Sequence, residues 1–334
     1  MIKVLIIEDS HFLGSAIKKM VESDRTISVV GISNFADEAV EKVELLEPDV
    51  ILLDIEVPQG GALDTLYSVM KDHPVPTIVL GPESELGKKE MINAFSYGAL
   101  DFIIRPRNFL DIGDIKEELL GLIKVAASVE IKKLIIKKPV RSLSVPKSSE
   151  KLVVIGASSG GVMALEAVLT KLPCDFPAAV LVVQHMPAGF TKTFAERLDS
   201  LSKIRIDEAA EGSILSKGKV LIAPGGYNLV VCVKGKHLFT QLNKKHTTIK
   251  PCIDIALKSA AVACGKNVIA VILTGMGHDG TEGVKWVKKN GGKTIAQDEA
   301  SSLIFGMPKS VIDAGDADYI VSLHEIADKI VEIL

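Results

Sequence analysis

Three short segments, far apart in the chain, carry side chains that could share one reaction: GASSGG (156–161), QHMP (184–187) and TGMGHDG (274–280). They offer a hydroxyl nucleophile in Ser158, a base in His185 and an orienting carboxylate in Asp279, the division of labour that acyl transfer requires. Each follows an apolar run that reads as a β-strand, and in an open parallel sheet functional groups gather outside the strands' carboxyl ends. Taken singly, each residue has a plainer role: Ser158 or Asp279 could cap the helix that follows, and His185 could be structural. Their convergence at strand ends favours chemistry. His278 competes with His185, but the carboxylate next to it in sequence could not easily orient it. The backbone N–H of Met276, in a glycine-flanked turn, is a candidate oxyanion donor. GASSGG also precedes a helical stretch from Val162, and unpaired N–H groups at a helix start favour a developing anion.

A second constellation lies near the start of the chain. Glu8 and Asp9 follow the apolar run KVLII, and Asp54 ends the run DVILLD. Three carboxylates there could converge on one hard divalent cation such as Mg²⁺, which takes oxygen ligands and would offset their repulsion. Alternatively Glu8 or Asp9 caps a helix starting near Ser10 and Asp54 is a solvated strand end.

The elements that must position these groups are readable from periodicity. From residue 1 to about 122, apolar runs alternate with amphipathic stretches five times, which predicts a parallel sheet covered by helices on both faces. The segment 130–151 has seven Lys or Arg against two Glu, with two prolines and several serines. It reads as a helix end and then a linker, so the expected organisation is a domain over 1–122, a connection over 123–150 and a second domain over 151–334. In the second domain the alternation resumes with KLVVIG, AAVLVVQH, KVLIAP, NVIAVILTG and GKTIAQ, predicting a doubly wound, mainly parallel α/β fold. NLVVCVKGKHLFT (228–240) is expected as an inserted β-hairpin.

Composition narrows the classes. The chain has 334 residues, 47% hydrophobic and 24% charged, enough for two ordinary cores. A net charge of −3 gives no general drive toward nucleic acid. No apolar run approaches a membrane span, which argues against membrane insertion, and MIKVLIIEDS reaches an acidic pair too soon for a signal peptide, so a cytoplasmic location is expected. The four cysteines show neither CxxC nor metal-ligand spacing and are expected as reduced thiols.

The first 122 residues resemble response-regulator receiver domains, a flavodoxin-like (βα)5 fold. The resemblance implies that Asp54 accepts a phosphoryl group from a histidine kinase while Glu8, Asp9 and Asp54 hold Mg²⁺. Two positions depart from the family pattern. Gly81 stands where a Ser or Thr is usual, and Arg105 stands where a Lys precedes proline, replacing a compact ammonium by a planar fork. Phe102 occupies an aromatic position whose rotamer often reports activation, though an ordinary core ring fits equally. The second half, with QHMPAGFTKTFAERL (184–198), LIAPGGYNL (221–229), VILTGMGHDG (271–280) and IAQDEASSLIFGMP (295–308), resembles the catalytic domain of the CheB protein-glutamate methylesterases. That resemblance spans essentially the whole chain. It implies hydrolysis of glutamyl γ-methyl esters on methylated chemoreceptors, a deamidase activity on receptor glutamines in many members, no cofactor for the ester reaction, and an unphosphorylated receiver that covers the esterase cleft.

Two other classes share part of this pattern. A strand followed by GASSGG also suits a short-chain dehydrogenase, but that class needs a YxxxK pair downstream, and the pair here, Tyr67 to Lys71, lies upstream. No acid stands at the expected ribose position either. A receiver-linked adaptor without activity is disfavoured by an intact Ser158, His185 and Asp279.

Overall fold

In a computed structural model, residues 1–34, 36–57, 61–106, 109–129, 147–244, 247 and 249–334 are described. They fall into two compact units, 1–137 and 138–334. Most of the expected linker, residues 130–146, lies outside the described residues.

The first unit alternates strand and helix: β1 (Ile2–Ile7), α1 (His11–Val21), β2 (Ile27–Ser33), α2 (Ala36–Leu46), β3 (Val50–Asp54), α3 (Ala62–Asp72), β4 (Thr77–Pro82), α4 (Glu85–Ala94), β5 (Asp101–Arg105) and α5 (Lys116–Ala126). The strands pair in parallel in the order β2-β1-β3-β4-β5. Buried on both faces, the central strands read as unbroken apolar runs, as in VILLD of β3, where every residue is buried. The strand order steps outward from β1 in both directions, so the carboxyl ends of β1 and β3, carrying Glu8 and Asp54, flank the switch point. α1 starts where Ser10 accepts a hydrogen bond from the Leu13 N–H, so the cap is Ser10, with neither Glu8 nor Asp9 in that role.

The second unit runs β6 (Lys147–Ser148), β7 (Leu152–Ala157), α6 (Gly161–Leu169), β8 (Ala179–Gln184), α7 (Phe190–Leu201), β9 (Arg205–Glu208), β10 (Ser216–Lys217), β11 (Lys219–Ile222), β12 (Asn228–Lys234), β13 (His237–Asn243), α8 (Ile253–Cys264), β14 (Val268–Ile272), α9 (Thr281–Lys289), β15 (Lys293–Gln297), α10 (Met307–Asp313), β16 (Tyr319–Val321) and α11 (Ile326–Ile333). Seven strands form a parallel sheet in the order β16-β15-β14-β7-β8-β11-β9. The chain winds from β7 outward through β8 to one edge and then returns to β14 on β7's other side. The crevice at this reversal is where such folds place their ligands.

The expected hairpin is present as β12 and β13, a separate two-stranded sheet turning at Gly235, whose φ is +63°. It packs on α8, whose buried residues Ile253, Ala256, Leu257, Ala260 and Ala261 recur at helical spacing and face the main core cluster with β7, β8 and β14. No helix among the described residues is long and apolar enough to cross a membrane. The four cysteines are free thiols.

Candidate active site

Parallel register aligns the first two groups. Ala157 of β7 lies opposite Gln184 of β8, so Ser158 and His185 are the next residues of neighbouring strands. The His185 N–H donates to the Ala157 carbonyl at 3.0 Å, and on the other side of β7 the Ser158 N–H donates to the Thr274 carbonyl at 3.1 Å. β14 therefore delivers the 274–280 turn to the same strand ends. Ser158 is not a helix cap: α6 begins after Gly160, which has φ +73° and no side-chain cap. A Cβ at Gly160 would also meet Leu303 Cδ2 at 2.4 Å, so this turn requires glycine both conformationally and sterically.

The three side chains meet in hydrogen-bonding order. His185 Nδ1 lies 3.1 Å from Ser158 Oγ, and His185 Nε2 lies 2.8 Å from Asp279 Oδ2. An ionised carboxylate only accepts, so the Asp279 contact places the ring proton on Nε2 and leaves the Nδ1 lone pair facing the Ser158 hydroxyl. The His185 and Asp279 side chains are only about a tenth exposed (10% and 12%). Burial alone would raise the Asp279 pKa, but hydrogen bonds from His185 and from the Asp254 and Ile253 N–H groups outweigh it and hold the carboxyl below its ordinary range. Competing His278 is exposed.

Asp279 does not cap the helix that follows it. α9 begins after Gly280 without a side-chain cap. The carboxylate instead caps α8, accepting from Ile253 N at 2.8 Å and Asp254 N at 3.0 Å, with the Cys252 thiol 3.4 Å from Oδ1. Cys252 is correspondingly a poor nucleophile: burial, then the charge of Asp279, push its thiol up to about 11. Met276 is 55% exposed, and among the described hydrogen bonds the backbone N–H groups of Met276 and Ser159 have no acceptor.

Three contributors had no clear signal in the sequence. Gln184, buried at the end of β8, donates from Nε2 to the Ser158 carbonyl at 2.9 Å and the His185 carbonyl at 3.1 Å, tying these two residues together from behind. Thr274 Oγ1 donates to the Ser159 carbonyl at 3.1 Å and accepts from Ile304 N at 2.8 Å, fixing the turn after Ser158. Asp254 Oδ1 accepts from Gly280 N at 3.1 Å and Gly283 N at 2.6 Å.

In the first unit, Glu8 and Asp54 come together and are each only 1% exposed. Asp9 is exposed, and among the described residues no group of three His, Cys, Asp or Glu side chains is gathered to hold a metal. The expected set is thus two buried acids with a third outside. The cation present is Arg105: its guanidinium bonds Asp54 and Glu56 and lies 3.7 Å from Glu8 Oε2. Burial, then the neighbouring Asp54, push Glu8 up to about 9. Glu8 Oε2 is buried without a hydrogen-bond partner. A buried oxygen lacking a partner, beside a second buried carboxylate, is donor chemistry that fits a hard divalent cation.

Gly81 is explained by packing. A Cβ there would fall 2.7 Å from Met91 Sδ and 2.8 Å from Ile55 Cγ2, so these two side chains fill the volume that a Ser or Thr would need. Phe102 is a buried ring set edge-on to Phe95, 6.0 Å between centroids and 81° between planes, the geometry of a core aromatic.

Comparison with known proteins follows the same division. Residues 153–330 match the family model for CheB methylesterase, and residues 4–115 match that for the response regulator receiver domain. A relative from Pyrococcus horikoshii named protein-glutamate methylesterase/protein-glutamine glutaminase is 41% identical, the match covering 99% of this chain and 93% of the relative. One of the same name from Thermotoga maritima is 40% identical, covering 100% and 98%. The crystal structure of the Thermotoga maritima CheB methylesterase catalytic domain covers 55% of this chain and 98% of its own at 45% identity, with a TM-score of 0.54.

Proposed function

Since the chain belongs to the CheB methylesterase family and carries a receiver domain ahead of the esterase, we propose that it hydrolyses glutamyl γ-methyl esters on chemoreceptors to glutamate and methanol, with Ser158 as nucleophile. The observation that carries this reading is the continuous hydrogen-bonded series Ser158, His185, Asp279 at adjacent strand ends.

The steps follow from the geometry. His185 Nδ1 takes the Ser158 proton as Oγ attacks the ester carbonyl, and Asp279 stabilises the resulting imidazolium through Nε2. Charge developing on the carbonyl oxygen is met by backbone N–H groups, Met276 first among them, with Ser159 beside the nucleophile. His185 then protonates departing methanol, leaving a glutamyl ester on Ser158. Water, deprotonated by the same Nδ1, releases glutamate. An amide entering the same site would lose ammonia in place of methanol, which accounts for glutamine deamidation as a second activity. No step calls on a cofactor.

In the receiver unit, Asp54 is the phosphoryl acceptor, with a histidine kinase as donor. Glu8 and Asp54 would hold Mg²⁺, exposed Asp9 joining them only by turning inward, and the ion would supply positive charge for the phosphoryl oxygens. Arg105 must exchange its bond to Asp54 for one to the phosphoryl group, a task to which its fork is suited. With Met91 and Ile55 filling the space at Gly81, no hydroxyl follows the phosphoryl oxygens from that position.

The test is methanol release from receptor membranes carrying labelled methyl esters. Ser158→Ala is expected to lower turnover by about 10⁶, and an unchanged rate would refute the assignment. Adding a phosphoryl donor should raise the rate of the wild type but not of Asp54→Ala; equal rates in all three conditions would remove the switch.

A further inference from the structure

Helices α8 and α9 begin side by side, and each is capped by an acid from the other's start. Asp279, just before α9, accepts from Ile253 N and Asp254 N at the start of α8. Asp254, in the first turn of α8, accepts from Gly280 N and Gly283 N at the start of α9. Neither helix has a side-chain cap from its own N-cap residue, Cys252 or Gly280. The exchange is therefore what satisfies these N–H groups, and it fixes the two helix starts relative to each other.

The two helices also approach closely. A Cβ at Gly283 would fall 2.6 Å from Leu257 Cβ and 3.1 Å from Asp254 Cα, so only glycine allows this spacing. Asp279 lies one residue before Gly280, whose N–H Asp254 holds. Movement of the 279–280 peptide would carry the carboxylate away from His185 Nε2. Burial raises the Asp254 pKa, the charge of Asp279 adds to that, and the Gly283 and Gly280 N–H groups oppose both. The pair of acids is thus tolerated because two helix N-termini surround it.

From this reciprocal exchange we infer that Asp254 is a positioning residue for the esterase reaction: by holding the start of α9 it sets the orientation in which Asp279 meets His185. The inference rests on Asp279 being the orienting carboxylate. The position itself asks for an acceptor oxygen and not for a charge, so Asn should serve, because its Oδ1 can accept from the same two N–H groups.

The experiment compares the full chain with Asp254→Ala, Asp254→Asn and Ser158→Ala, measuring kcat and KM for methanol release together with thermal unfolding and the downfield proton resonance of the His185–Asp279 hydrogen bond. Asp254→Ala is expected to lower kcat by roughly tenfold to a hundredfold, the scale on which a displacement of about an ångström acts, with KM unchanged and the downfield resonance lost. Asp254→Asn should keep kcat within about threefold of wild type and retain the resonance, a factor well under the tenfold that corresponds to about 1.4 kcal/mol. If Asp254→Ala does not fold, Asp254→Ser, which keeps a single shorter acceptor, takes its place in the same comparison. Wild-type kcat in the Ala or Ser variant, a loss confined to KM, or an Asn variant as slow as Ala would overturn the inference. Ser158→Ala separates the two levels: its inactivity beside a fully active Asp254→Ala defeats only the positioning role, whereas its activity defeats the site assignment beneath it.

Discussion

Replacing Asp279 with Asn keeps the shape of the side chain and removes one acceptor, and the structure allows the cost to be followed atom by atom. Oδ2 faces His185 Nε2 and Ile253 N, both at 2.8 Å, while Oδ1 faces Asp254 N at 3.0 Å and the Cys252 thiol at 3.4 Å. An amide has one oxygen, so either orientation sets its NH₂ against one of these donor pairs. With the oxygen toward His185, the Asp254 N–H is left without an acceptor in a largely buried place, at about 1–3 kcal/mol. With the oxygen toward Asp254, the NH₂ forces His185 Nε2 to accept, and the ring proton moves to Nδ1, where it faces Ser158 Oγ and blocks proton removal. In both orientations the charge that stabilises the imidazolium is gone. The expected result is a kcat lower by about 10⁴, the scale of the corresponding change in Ser-His-Asp enzymes, with little change in KM and a stability loss of about 1–3 kcal/mol. Methanol release under saturating receptor, with denaturant unfolding in parallel, measures both. A kcat within about tenfold of wild type, or about 1.4 kcal/mol of barrier, would refute the role given to Asp279.

The remaining predictions concern acid stability and the receiver core. Because the folded Asp279 pKa lies below its unfolded value, its stabilisation is fully present above about pH 3.9 and is lost as pH falls through the lower folded value. The gap in unfolding free energy between wild type and Asp279→Asn, measured by denaturant titration, should therefore be full at about pH 6 and shrink toward about pH 3; a constant gap would count against the stated causes. Gly81→Ser should destabilise the receiver unit by about 1–3 kcal/mol through overpacking, since Ile55 Cγ2 as well as the more flexible Met91 must move. Denaturant unfolding that shows no loss would mean that both side chains give way freely.

How much of the esterase site could be read from sequence depended on which features leave a local trace. Unbroken apolar runs such as LVVI and AVLVV mark central parallel strands, and the turn beyond each run lies at the sheet edge where such folds gather functional groups. Ser158, His185 and Asp279 all lie in turns that follow such runs, and the structure brings them within hydrogen-bonding distance of one another. Gln184 leaves no such trace: an amide at the end of an apolar run looks like any strand end, and its two bonds exist only because β7 and β8 pair with Ala157 opposite Gln184. Asp254 is harder still, since an acid in a first helical turn is common, and its partners belong to a helix 26 and 29 residues further on. The short strands β9 (RIDE) and β16 (YIV) also escaped, being edge strands too brief to show a period.

The acidic cluster of the receiver shows the opposite failure, in which a sequence pattern suggested more than the backbone delivers. Glu8 and Asp9 are adjacent, and adjacency invites treating them as a pair. Successive side chains leaving a strand point to opposite sides, so when β1 turns Glu8 inward beside Asp54, Asp9 is turned toward solvent. The charge thereby withheld from the cluster matters because burial, with the neighbouring Asp54 adding to it, already pushes Glu8 up to about 9. A planar cation suits what is left. Arg105 can bond Asp54 and Glu56 at once with its fork, which the single ammonium of a Lys matches less well. The departure from the family's Lys is therefore intelligible only with Glu56 in view, a residue two places beyond Asp54 that no strand-end rule would have selected.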